Sequence, residues 1–171
     1  MGCSPAIVEH PPTCFQRTSI MLLESPQALR QLIGREIGVT EWMLLTRERI
    51  QQFADVTDDR QWIHLDQERA RRDSPYGTTV AHGFLTLSLL SSFLRQVLQI
   101  REGTRMSVNY GLNRVRFPAP VLAGAKIRAR FTLRSVEEVP GAFEVVLGAT
   151  VETEGTHKPC CVAEWVLRYY S

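Results

Sequence analysis

The sixteen residues Thr79–Leu94 carry no Lys, Arg, Asp or Glu, and this run limits what the chain can fold into. It reads as one helix, continued to about Ile100 and apolar almost all round. Such a helix belongs inside something. A membrane is a poor host, because sixteen residues fall short of the ~20 that cross a bilayer. The run also contains His82, Gly83 and several hydroxyls. The cover must come from the protein itself. Residues 108–117, 126–136, 143–152 and 161–169 are strand-like, separated by Pro118 and Pro120, Pro140-Gly141 and Gly155. Lys126 to Phe131 alternates polar and apolar with period two. One buried helix followed by four antiparallel strands is an α+β pattern, a sheet wrapped on a helix.

A length of 171 residues favours one domain. Residues 1–25 are Pro-rich and aperiodic and read as a flexible leader, leaving 26–171 as the domain. A short helix follows Pro26, with Ala28, Leu29, Leu32 and Ile33 at helical spacing and Gly34 as its stop. Glu36 to Leu45 reads as extended. Thr46 then caps a helix that ends near Val56, with Glu48 in its first turn and Leu45 and Ile50 as a hydrophobic staple. A polar stretch, Thr57 to His64, leads to a short charged helix around Gln67 to Arg72. Ser74-Pro75-Tyr76-Gly77 is a turn.

An apolar fraction of 44% with 22% charged residues is that of a globular chain, not a disordered one. Cys3, Cys14, Cys160 and Cys161 show no metal-binding spacing, and an adjacent pair is poor geometry for a disulfide. The expectation is a reduced, cytoplasmic protein with no signal peptide, since Glu9, His10, Pro11 and Pro12 stand where an apolar core would be needed. Met1-Gly2-Cys3 followed by Ala6 lacks the hydroxyl of a lipidated terminus. No GxGxxG opens a helix and no GxxxxGK[ST] occurs, which removes support for nicotinamide and nucleotide chemistry. The net charge of +2 conceals an uneven distribution. Between Arg101 and Ser135 stand eight basic residues and one acid, a local +7. That points to an anionic partner.

Asp59 and His64 lie five positions apart on the polar stretch. An Asp–His pair can hold and deprotonate a water, although both residue types are also common in ordinary loops. Asp58 beside Asp59 is a capping or solvated neighbour, or a second carboxylate sharing a proton. His82-Gly83 opens the buried helix, where unpaired N–H groups make an oxyanion site for a carbonyl. The alternative is a packing glycine and a core histidine. Ser91 falls eight residues after Gly83, on roughly the same face, with Thr86, Ser88 and Ser92 as competitors.

The segment Phe53-Ala54-Asp55-Val56-Thr57-Asp58-Asp59-Arg60-Gln61-Trp62-Ile63-His64-Leu65-Asp66, followed by Ala81-His82-Gly83-Phe84-Leu85, resembles the MaoC-like dehydratases, which include the (R)-specific enoyl-CoA hydratases. Gln61-Trp62-Ile63-His64 and the string from His82 to Leu90 are most similar to the branch named after nodulation protein N. The resemblance covers about residues 26–170. It implies a hot-dog fold, a long central helix wrapped by an antiparallel sheet, and a homodimer joining two sheets into one. It implies hydration of a trans-2-enoyl-CoA to a 3-hydroxyacyl-CoA, or the reverse, without cofactor or metal. The partner would be an acyl-CoA or acyl carrier protein thioester, with neither nucleic acid nor membrane involved.

By the same resemblance Asp59 matches the catalytic Asp and His64 the catalytic His. Asp59 would accept a proton from water as its oxygen attacks Cβ, and His64 would help deliver one to Cα. Gly83 matches the glycine whose N–H binds the thioester oxygen, and Ser91 a helix serine near that site. Three positions depart from the family pattern: Asp58 replaces Gly, Gln61 replaces Asn and Trp62 replaces Pro. Asp58 would strain a turn that Gly relieves. For the phosphates of coenzyme A, Arg114, Arg116 and Arg128 are the candidates. A hot-dog thioesterase would need a carboxylate on the central helix, and Thr79–Leu94 has none. A non-catalytic thioester-binding subunit is the other alternative, against which the intact Asp59/His64 pair argues.

Overall fold

The computed structural model describes residues 20–170. Most of the expected leader, with Cys3 and Cys14, lies outside them. The leader's end does not. Met21–Leu23 forms strand β1, parallel to β4, Leu98–Ile100. Regular structure therefore begins before Pro26.

Pro26–Leu32 winds as a 3₁₀ helix that buries Pro26 and Leu29. Gly34, at φ +82°, turns the chain out of it. The extended stretch that follows supplies two strands, β2 (Glu36–Val39) and β3 (Met43–Leu44), both antiparallel to β6 (Lys126–Val139). Helix α1 spans Arg47–Thr57, and Thr46 Oγ1 accepts the Arg49 N–H at 3.3 Å. Leu45 and Ile50, the expected staple, are both buried. Two short helices follow, α2 (Trp62–Leu65) and α3 (Gln67–Asp73), the second capped by Asp66.

The central helix is shorter than its apolar run. It consists of α4 (Gly83–Ser88) and α5 (Leu90–Val97). Leu89 between them keeps right-handed helical angles, its N–H donates to Leu85, and the Phe93 N–H donates back to it at 2.9 Å. The two pieces form one slightly broken rod. The expected span of 79–100 is lost at both ends to tertiary hydrogen bonds. Val80 bridges Leu122, the Ala81 N–H donates to Val121, and Leu98 to Ile100 join β1. Nor is the rod covered all round. Leu90 and Phe93 are buried, but Phe84 is 69% exposed, and Ser88 and Arg95 are exposed as well.

Strands β5 (Met106–Arg116), β6, β7 (Ala142–Thr153) and β8 (Cys161–Tyr170) follow the expected boundaries closely. The main sheet runs β2-β6-β7-β8-β5, antiparallel throughout. Its inner face packs Phe131, Leu133, Val145, Leu147 and Trp165 with Leu90, Phe93 and Val97 of α5 in one core. At Gly38 the sheet touches the rod, since a Cβ there would lie 2.6 Å from Val97 Cβ. The architecture is thus α+β, with an antiparallel sheet wrapped on a central helix.

Half of the basic segment is answered by acids from elsewhere. Arg101 pairs with Glu24, Lys126 with Glu154, Arg128 with Glu152, and Arg130 with Glu36 and Glu152. Arg128 also lies over the Trp42 ring at 4.4 Å. Its guanidinium is committed, which corrects its place among the phosphate candidates. Arg114 and Arg116 remain exposed on β5.

Candidate active site

The polar loop after α1 is shaped by one residue in an uncommon conformation. Asp58 caps α1 at φ 57°, ψ 13°, in the left-handed region, and is the non-glycine residue of the described chain with positive φ. Asp tolerates that region better than most side chains. The Asp58 carboxylate is 89% exposed, 3.9 Å from Arg60. It points to solvent, so it is not a second carboxylate sharing Asp59's proton. The strain expected from replacing Gly is real but small.

Asp59 follows, and its half-exposed carboxylate lies 4.0 Å from His82 Nε2. Its backbone carbonyl accepts a hydrogen bond from the same nitrogen at 2.9 Å. His64 enters from α2. Its Nδ1 lies 2.7 Å from the Val80 carbonyl. A carbonyl only accepts, so Nδ1 carries the proton and Nε2 is left with a free lone pair. The Val80 N–H donates in return to Ile63 at 3.0 Å, clamping α2 to the approach to α4. Burial holds the His64 imidazole below its ordinary value of 6.5, outweighing the Val80 bond and the nearby Asp59 charge. Neutral His64 is therefore an acceptor in the resting site.

One ligand atom each from Asp59, His64 and His82 lies within 4.8 Å of the other two. The two imidazoles stack, with centroids 3.7 Å apart and planes at 26°. Stacked rings aim their in-plane lone pairs side by side rather than at one point. Each ring also commits a nitrogen to a backbone carbonyl. The cluster suits the handling of a water proton better than the caging of a cation.

Gly83 comes next in the chain and opens α4, so its N–H has no intrahelical carbonyl to reach. A Cβ on it would lie 3.0 Å from the Phe117 ring, so any larger residue here would have to push that ring aside by a few tenths of an ångström. Asp59, His64 and Gly83 are thus gathered at one end of the rod. Ser91 is not gathered with them. It exchanges hydrogen bonds with Asn109 of β5 at 3.3–3.4 Å. It lines a cavity of about 330 Å³ with Phe84, Leu112 and Trp165, whereas His64 lines another of about 380 Å³ with Gln51, Leu65 and Thr79.

His82 is the member that the sequence offers as a core histidine or as part of the His82-Gly83 helix start, with no tie to Asp59. It stands 23 residues from Asp59, and nothing in that spacing marks the contact. Trp62, a departure from the family pattern, lies under the Arg69 guanidinium at 4.4 Å, which anchors α2 to α3.

Residues 28–156 match the family model described as MaoC like domain. The chain is 46% identical over 147 residues to a 3-hydroxyacyl-thioester dehydratase Z of Mycobacterium tuberculosis, covering 85% of this chain and 96% of that one. It is 45% identical over 140 residues to Nodulation protein N of Rhizobium leguminosarum bv. viciae, covering 78% and 84%. In three dimensions it resembles R-hydratase PhaJ1 from Pseudomonas aeruginosa, with a TM-score of 0.65 and 22% identity over 81% of this chain and 82% of the other. The sheet-wrapped rod is the hot-dog fold, and the chain belongs to the MaoC-like domain family.

Proposed function

We propose that the protein is a hydro-lyase acting on acyl thioesters, interconverting a trans-2-enoyl thioester and a 3-hydroxyacyl thioester. What carries this is the gathering of the Asp59 carboxylate and the His64 imidazole within 4.8 Å, beside the point where Gly83 begins α4, with His64 Nε2 left as the ring's free acceptor. The dehydratase activity in the name of the Mycobacterium tuberculosis relative supports the same chemistry.

One water bridges Asp59 and His64 Nε2. As its oxygen attacks Cβ, the pair takes one proton from it and returns one to Cα. Water thereby adds across the double bond, OH to Cβ and H to Cα, and no other reagent is consumed. His64 has no Nε2 proton of its own to give at neutral pH, so the proton delivered to Cα comes from the water. Negative charge collects on the thioester oxygen as Cβ is attacked. The Gly83 N–H faces it, and such a preorganised donor is worth ~3 kcal/mol in the transition state.

The substrate is carried on coenzyme A or acyl carrier protein, and the protein works as a homodimer paired through β5. A thioesterase reading has no support from the rod, because no acid lies between Gly83 and Val97.

The test is turnover of crotonyl-CoA and longer trans-2-enoyl-CoAs, followed by loss of the conjugated thioester. Wild type is expected to hydrate at least one chain length, and His64→Ala to lower kcat by at least ~100-fold. Failure at every chain length, on CoA and on acyl carrier protein, would favour a binding subunit instead.

A further inference from the structure

His82 has an odd combination of properties. It is 2% exposed, yet its Nδ1 has no hydrogen-bond partner among the described residues. Its Nε2 donates to the Asp59 carbonyl at 2.9 Å, so in the neutral ring Nδ1 is a bare acceptor. Its ring meets two others. His64 stacks on it at 3.7 Å between centroids, and Phe53 of α1 is tilted against it at 5.0 Å.

A ring chosen for packing alone would be better as Phe, which leaves no buried acceptor unpaired. The polar ring provides a donor that Phe would lack. That donor has a use. The Asp59 carboxylate is half exposed, and it follows directly on a left-handed residue. The backbone bond to His82 holds the peptide from which this carboxylate projects.

We propose that His82 is a positioning residue for the acid–base pair: its Nε2–H holds the Asp59 peptide from which the carboxylate projects. It touches no substrate in this role. The assignment rests on the hydratase reading for its kinetic effect, but its hydrogen-bonding state is separately observable.

Two variants separate the two contacts. His82→Phe keeps the ring and removes the donor, whereas His82→Gln keeps an N–H near the Nε2 position and removes the ring. With crotonyl-CoA, His82→Phe is expected to lose at least ~10-fold in kcat with KM within about twofold, the signature of misplaced catalytic groups. His82→Gln is expected to retain at least about a third of wild-type kcat, even if its Tm falls further than that of His82→Phe. In parallel, ¹⁵N NMR of the wild-type imidazoles at neutral pH should show His82 protonated at Nε2 only. Full activity in His82→Phe, equal losses in both variants, or an Nδ1–H tautomer or imidazolium at His82 overturns the assignment. If wild type proves inert towards enoyl thioesters, the functional reading fails, and the tautomer alone then decides whether His82 holds Asp59.

Discussion

Asp58 and Asp59 are chemically identical neighbours with different surroundings. Asp58 takes the left-handed turn and sends its carboxylate into solvent beside Arg60. Asp59 is thereby turned back towards the two stacked histidines. The expected penalty for losing the family glycine falls on backbone conformation and does not take the form of a competing charge. His64 gives a prediction at this scale. Burial favours its neutral form, so its pKa lies below the ordinary 6.5. As pH falls, the free Nε2 is lost only below that value. The acid limb of kcat/KM should therefore have its midpoint below 6.5. A midpoint above the ordinary value would contradict the burial argument. The same shift stabilises the fold fully above an unfolded pKa of about 6.5, and that contribution is lost as pH falls through the lower folded value.

Among the elements, β5 is the one whose surroundings are unfinished. It pairs with β8 along one side and, among the described residues, has no strand on the other. Met106, Val108, Tyr110 and Leu112 are all exposed along its eleven residues. A long apolar edge strand of this kind is a template for another strand. Across the groove beside it stands Phe84 of α4, also exposed. Antiparallel pairing of β5 with the same strand of a second copy would continue the sheet and cover both. Sedimentation equilibrium should then give about twice 19.4 kDa. Val108→Lys should shift the population towards monomer, because each copy would bring a charge into the apolar seam. A wild-type mass of 19.4 kDa at tens of micromolar would rule this pairing out.

For the molecule as a whole, much was legible in sequence wherever the signal is local. Period-two alternation marked Lys126 to Phe131, and Thr46 announced α1 because a cap is a short-range contact. Boundaries set by distant partners were not legible. Val80 and Ala81 left the helix for Leu122 and Val121, and Leu98 to Ile100 left it for β1. The charge excess between Arg101 and Ser135 was visible, but its pairing with Glu24, Glu36, Glu152 and Glu154 depends on register. Asp59, His64 and Gly83 stand out through their motif. The His82 contact does not, because it closes a loop of 23 residues. The central claim is that Asp59, not its neighbour, is the base, and kcat of Asp59→Asn beside Asp58→Asn on one enoyl-CoA tests it directly. Asp59→Asn is expected to lose at least ~100-fold while Asp58→Asn stays within about twofold of wild type. An active Asp59→Asn with a dead Asp58→Asn would contradict the account.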